Sequence, residues 1–152
     1  MHPLLTEVHH NLTLRAQDQQ IELISDLQPV PVIRGDYDRL IQLFTNLLDN
    51  ALNHTPAGGR VHLRLKPQGE QAVEVTVQDS GSGISPEDLS RIFERFYQVE
   101  KSRVGGNGRR GSGLGLAIVH ELVEAHQGSI RAVSQEGEGS LFVVRLPVNR
   151  GR

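Results

Sequence analysis

Apolar positions along the chain follow two periods, and the longest helical one runs over residues 36–54. There DYDRLIQLFTNLLDNALNH puts Tyr37, Leu40, Ile41, Phe44, Leu47, Leu48, Ala51 and Leu52 on one side, at the i, i+3, i+4, i+7 spacing of an amphipathic helix. Gln42, Asn46, Asp49, Asn50 and Asn53 share the opposite side. Asp36 is placed to cap this helix, and Thr55-Pro56 stops it within a turn of His54. Residues 4–18 are weakly amphipathic through Leu4, Leu5, Val8 and Leu12, which predicts a helix continuing from upstream. Residues 21–27 read as a strand. Residues 60–66 alternate strictly with Val61, Leu63 and Leu65 inward, and residues 72–78 do the same with Val73, Val75 and Val77. Pro67-Gln68-Gly69-Glu70 is expected to join them as a hairpin.

The second half continues the interleaving. Ser85-Pro86-Glu87-Asp88 is a helix start, and Leu89, Ile92, Phe93 and Phe96 would be the apolar face of that helix. Residues 97–112 hold four glycines and four basic residues and lack a hydrophobic period, which predicts a mobile loop. A helix over 114–127 turns Leu116, Val119, Leu122 and Val123 inward, with Gly128 as its stop. Two strands, 129–134 and 140–148, meet at Gly137-Glu138-Gly139. The expected fold is a two-layer α/β sandwich: a mixed, largely antiparallel sheet covered on one face by about three helices.

Composition narrows the function classes. A chain of 152 residues suits one domain, and 37% apolar content with a net charge of -2 describes an ordinary globular protein whose charge balance suggests neither nucleic acid nor an anionic membrane. With no cysteine, disulfides and thiolate metal sites are excluded. No apolar run approaches a membrane span and residues 1–3 do not open a signal peptide, so the expected setting is cytoplasmic.

The asparagines of the 36–54 helix are costly for a merely solvated face. Each is up to ~0.7 kcal/mol worse than Ala in a helix, so three cost about 2 kcal/mol. An Asn carbonyl offers a hard cation an oxygen ligand without adding charge, as a metal already carrying phosphates requires; an Asn-rich solvated surface is the plainer alternative. Three other stretches stand out. Asp79-Ser80-Gly81-Ser82-Gly83 puts an acid and two glycines at a strand end, where a carboxylate accepts from an amine and a flat ligand approaches the backbone; a simple turn is the alternative. Gly111-Ser112-Gly113-Leu114-Gly115 runs into a helix and offers bare N–H groups to an anion. Lys101, Arg103, Arg109 and Arg110 lie in the loop between them.

Several patterns fail. Residues 106–111 match G-x-G-x-x-G, but no strand precedes them and Arg131 stands where a ribose-binding acid belongs. A P-loop lacks its Lys-Ser/Thr. His120-Glu121 is followed by His126, off the ligand face of a zincin helix.

In their order, these stretches resemble the ATP-binding catalytic domain of sensor histidine kinases, over about residues 20–147. The superfamily includes type II topoisomerases, mismatch-repair ATPases and a heat-shock chaperone. N-L-L-D-N-A at 46–51 looks like the N box, D-S-G-S-G-I at 79–84 the first glycine box, R-I-F-E-R-F-Y at 91–97 the F box, and G-S-G-L-G-L-A-I at 111–118 the second glycine box; R-G-D at 34–36 and T-P-A-G-G at 55–59 are typical flanks. The resemblance implies a Bergerat-type fold, with residues 1–18 ending an upstream dimerisation helix or linker and 19–152 forming the catalytic and ATP-binding domain. It implies ATP and Mg²⁺ as cofactors. Asn50 would hold the metal, Asn46 would join it one turn back, and Arg95 would complete the catalytic set. Asp79 would accept from the adenine amine, with Gly81, Gly83 and Ile84 beside the base and Asn53 and His54 in the same site. Residues 97–112 would be a lid, with Tyr97, Lys101 and Arg103 toward the phosphates, Phe93 and Phe96 at its base, and Gly111, Ser112, Gly113, Leu114 and Gly115 at its hinge. The implied partners are a dimerisation and histidine-phosphotransfer domain of the same kinase and a response regulator. No nucleic acid partner is implied, the isolated domain would be monomeric, and the parent could be anchored in the inner membrane.

The sequence departs from the family at three places. Asn53 stands where a Lys or Arg is usual, followed by His54, so Arg95, Lys101 or Arg103 is expected to substitute as the phosphate cation. Gln98 replaces a frequent lid arginine. Neither His9 nor His10 lies in an H box, so the phospho-acceptor is expected upstream and the isolated chain is not expected to autophosphorylate. Two alternatives stay open: an ATPase clamp of the same superfamily, which would need a Glu general base where Asn46 stands, and a non-enzymatic nucleotide-binding module.

Overall fold

The computed structural model describes residues 1–94 and 115–148. Its elements are α1 (His2–Asp18), β1 (Glu22–Leu27), α2 (Tyr37–His54), β2 (Arg60–Gln68), β3 (Ala72–Asp79), α3 (Pro86–Leu89), α4 (Gly115–Ala125), β4 (Ser129–Gln135) and β5 (Gly139–Pro147). The five strands form one sheet in the order β1-β2-β3-β5-β4. Only the β1–β2 pair is parallel, because α2 lies between those strands in the chain; the other pairs are antiparallel. Alternation decides which face is inward. Val61, Leu63 and Leu65 of β2, Val73, Val75 and Val77 of β3, and Phe142, Val144 and Leu146 of β5 are all buried. Against that face lie α1, α2 and α4, giving the expected two-layer sandwich.

α1 contributes Leu4, Leu5, Val8, Leu12 and Ala16 to the same core as the rest of the chain. It ends with Gln20 in the left-handed region at φ 58°, and the Gln20 and Ile21 N–H groups bond back to Gln17 and Ala16 carbonyls. α4 ends the same way: Gln127 takes φ 60°, while the Gln127 and Gly128 N–H groups reach Glu124 and Val123 carbonyls. Both are Schellman closures with glutamine in the strained position. Gly128, expected to be the stop, is glycine for another reason: a Cβ there would lie 2.4 Å from the Arg145 carbonyl oxygen of β5.

Three sequence expectations are corrected. On α2 the buried set includes Leu43, while Tyr37 is half exposed; its hydroxyl donates to Glu7 of α1 at 2.5 Å, which holds the ring at the surface. Over its described residues, the helix expected from Ser85 is a single α-helical turn, α3, followed by tighter i→i+3 turns at Arg91 and Glu94. Neighbouring Ile92 and Phe93 both pack on the core, Phe93 edge-on to Phe142 at 6.3 Å, and that packing overrides helix propensity. Finally, β2 runs through Pro67 to Gln68, and the turn falls at residues 69–71 with Gly69 at φ 63°. β1 pairs only as far as Leu65, so Pro67 lies on an open edge where its missing N–H costs nothing.

Candidate functional site

The site grows from the C-terminal end of β3. Strand parity that turns Val73, Val75 and Val77 inward turns Asp79 inward too, and its residue is 3% exposed. Burial pushes this carboxyl above the ordinary aspartate value, and backbone N–H bonds from Gly81 and Ser140 partly oppose the shift. The Gly81 bond to Oδ1 is 2.9 Å. A carboxylate has about four acceptor positions, so two backbone bonds leave capacity for a further donor.

The loop after β3 is clasped by chain from both sides. A Cβ at Gly81 would stand 2.1 Å from the His54 carbonyl oxygen at the end of α2. One at Gly83, which has φ 77°, would stand 2.1 Å from the Gln135 carbonyl oxygen. Both glycines are therefore required by close backbone packing, whatever ligand lies beside them. Ser134 fastens the same loop: its hydroxyl accepts from the Ile84 N–H at 2.7 Å, donates to the Gly139 carbonyl at 3.0 Å and lies 2.9 Å from the Ser140 hydroxyl. Sequence reasoning missed Ser134 and Ser140. Their signal was available: each occupies an inward position of an alternating strand, beside Ala132 and Phe142 respectively, where a polar residue calls for a partner.

α2 brings its polar side to the same end of the sheet. Asp36 caps it by accepting from Arg39 N–H at 3.2 Å, and its own N–H donates to His126 Nε2 at 3.1 Å. Asn46, Asn50, Asn53 and His54 are all half-buried. Among the described residues, the side chains of Asn46 and Asn50 have no hydrogen-bond partner, which leaves two amide oxygens for a ligand. Asn53 accepts from Arg15 Nη2 of α1, and Asp49 pairs with the same guanidinium. Burial lowers the His54 pKa below the ordinary histidine value.

His54 at the end of α2 and Asp79 at the end of β3 thus both meet Gly81, with Gly83 and Ile84 following in the same loop and Asn46, Asn50 and Asn53 on the last turns of α2. Gly115 opens α4 and is exposed. Arg95, Phe96, Tyr97, Lys101, Arg103, Gly111, Ser112, Gly113 and Leu114, and with them the lid expected over 97–112, lie outside the described residues. Among the described residues no group of three or more His, Asp or Glu side chains is placed to hold a metal ion, and no helix is long and apolar enough to cross a membrane.

Residues 35–150 match the family described as histidine kinase-, DNA gyrase B-, and HSP90-like ATPase. The chain is 42% identical over 145 residues to the sensor histidine kinase RppB of Synechocystis, matching 95% of this chain and 31% of that protein. It is 40% identical over 148 residues to the signal transduction histidine-protein kinase BaeS of Escherichia coli, matching 97% of this chain and again 31% of the relative. The chain thus spans under a third of either relative. Among solved structures it is similar to the mycobacterial sensor histidine kinase MprB, with TM-score 0.77, 32% identity and coverage of 94% and 93% of the two chains. It is also similar to full-length ShkA in complex with AMPPNP, with TM-score 0.84, 31% identity and coverage of 99% of this chain and 31% of that one.

Proposed function

This chain belongs to the histidine kinase-, DNA gyrase B- and HSP90-like ATPase family, as the ATP-binding catalytic domain of a sensor histidine kinase, and from that premise we propose what its residues do. Asp79 carries the reading. A buried carboxylate, steadied by two backbone N–H groups and with acceptor capacity left, suits the exocyclic amine of adenine. Asn50, with Asn46 one turn back, offers neutral amide oxygens that fit Mg²⁺ carried in on phosphates. When bound, the ion supplies charge neutralisation on the phosphate oxygens. The chain's own part is to orient the nucleotide and to keep its γ-phosphoryl group toward an incoming nucleophile.

That nucleophile is proposed to be a histidine on the kinase's own dimerisation and histidine-phosphotransfer domain, with a response regulator receiving the phosphoryl group next. Asn46 favours transfer to histidine over hydrolysis, because an amide cannot take a proton from water. The domain would act as a monomer on the cytoplasmic side of its parent kinase, whether or not that parent is anchored in the inner membrane. Arg95, Lys101 and Arg103 would act from the lid, with Tyr97 at its base and the residue 111–115 box at its hinge.

The test uses ATP labelled at the γ-phosphate. The chain alone should bind ATP, acquire no label and hydrolyse it negligibly. An added dimerisation and phospho-acceptor fragment of the parent kinase should acquire an acid-labile phosphate. Brisk hydrolysis, or stable labelling of His9 or His10, would replace this reading with an ATPase clamp.

A further inference from the structure

Phosphates need a cation, and the part of α2 proposed to face them has none. From Leu40 to His54, α2 carries no Lys or Arg. Burial lowers the His54 pKa below the ordinary histidine value and so disfavours its charged form. The polar stripe even includes an acid, Asp49. Positive charge reaches it from a different element. Arg15, in the last turn of α1, pairs through Nη1 with Asp49 Oδ1 and donates from Nη2 to Asn53 Oδ1 at 2.5 Å. Asn53 is one helical turn beyond Asn50 on the same face, and it adjoins His54, whose carbonyl abuts Gly81. The guanidinium is thus delivered to the stripe between the amide proposed to hold the metal and the loop proposed to hold the base.

A role confined to tying α1 to α2 accounts poorly for this arrangement. The two helices already share a core through Leu5, Val8, Leu43 and Leu47, so tying them together does not by itself require a guanidinium aimed at the polar stripe. A guanidinium fork, by contrast, can hold its own helix partners and an anion together in fixed geometry.

We propose that Arg15 is a phosphate-binding residue: α1 supplies a cation for the terminal phosphates of the nucleotide, beside those proposed from the lid, and Asp49 and Asn53 of α2 position it. The site is then built from α1 as well as from α2 and β3. This inference rests on the nucleotide site proposed above and adds a residue to it.

Titrating AMP and ATP, each with Mg²⁺, into the 152-residue chain and its variants tests it. Arg15→Gln should weaken ATP about tenfold or more while changing AMP less than about threefold, so the ATP-to-AMP preference collapses. Unchanged AMP binding also shows that the variant is folded. Arg15→Lys, which keeps the charge and loses the fork, should fall between Arg15→Gln and the wild type. The double variant R15Q/D49N should stay as weak for ATP as R15Q, since it restores no cation. Recovery in the double variant would mean that Arg15 merely masks Asp49, and the proposal would be wrong. An undiminished ATP-to-AMP preference in R15Q would also overturn it, with the nucleotide site intact. Failure of the wild type to bind either nucleotide would instead remove the site itself, and Arg15's role with it.

Discussion

Asp79 concentrates the site's chemistry in one side chain, and its titration has opposite consequences for stability and for binding. Its carboxyl has a raised pKa when folded, mainly through burial. The folded state therefore binds more protons than the unfolded state over the window from the ordinary value of 3.8 up to the raised one. In that window this group's contribution to stability is present at low pH and is lost as pH rises. Adenine recognition needs the ionised form, so ATP affinity should instead climb across the same window and fall on acidification before an ordinary aspartate would protonate. Asp79→Asn should bind ATP weakly and lose that pH step. Guanine presents a carbonyl where adenine has its amine, and two acceptors facing each other in a buried site repel. GTP that competes as well as ATP in calorimetric displacement would refute the assignment of Asp79. Asn50 makes the complementary case for neutrality. Asn50→Asp adds a negative charge beside the triphosphate and should weaken Mg·ATP by about tenfold, roughly 1.4 kcal/mol; wild-type affinity in that variant would remove Asn50 from the metal's ligands.

At the scale of elements, the turn between β4 and β5 is where backbone packing is tightest. Gly139 has φ 93°, and a Cβ there would lie 2.0 Å from the Asp79 carbonyl oxygen. Gly137 has φ 84° with nothing near its Cβ direction. Ala at either position suffers the left-handed backbone, about 1–2 kcal/mol, but only Gly139→Ala must also push β5 away from the end of β3. Urea unfolding should show Gly139→Ala destabilised by about 2 kcal/mol more than Gly137→Ala, with ATP binding impaired because Asp79 moves. Equal losses would mean that the clasp is slack. Such contacts show what the sequence can and cannot disclose. Period 2 in β2 and β3 and period 3.6 in α2 were legible because each element buries one face against the same core. α3 was not, because burial of Ile92 and Phe93 is decided by Phe142, fifty residues away in β5 and invisible to a local window. Asp79 and the asparagines announced themselves by residue type. Ser134 and Ser140 did not, since serine on a strand is common and only strand pairing reveals that these two face inward beside the loop they hold. Arg15 was hidden for a similar reason: it is 38 residues from Asn53 in the chain and meets it only once α1 docks on α2.

Over the whole molecule, the same docking makes α1 part of the folding unit. Leu4, Leu5, Val8 and Leu12 are buried among residues of α2 and the sheet in a single core. Burying each is worth about 1.5–3 kcal/mol, so together roughly 6–12 kcal/mol as an upper estimate. A domain of this kind has only about 5–15 kcal/mol in total. Removing α1 also uncovers the face of α2 that carries Leu43 and Leu47, both fully buried in the intact chain. A chain starting at residue 19, the boundary the family resemblance implies, should therefore lose cooperative unfolding, expose apolar surface to dye and bind no nucleotide. A milder variant separates loss of folding from loss of the site. Val8→Ala leaves a cavity in the α1 interface, should cost about 1–3 kcal/mol, and should leave nucleotide affinity unchanged below its own melting transition because Val8 lies away from the polar stripe. Sharp, wild-type-like melting of the truncated chain would mean that β1 to β5 with α2 and α4 form a sufficient core, and that α1 is an appendage which docks on a domain already folded.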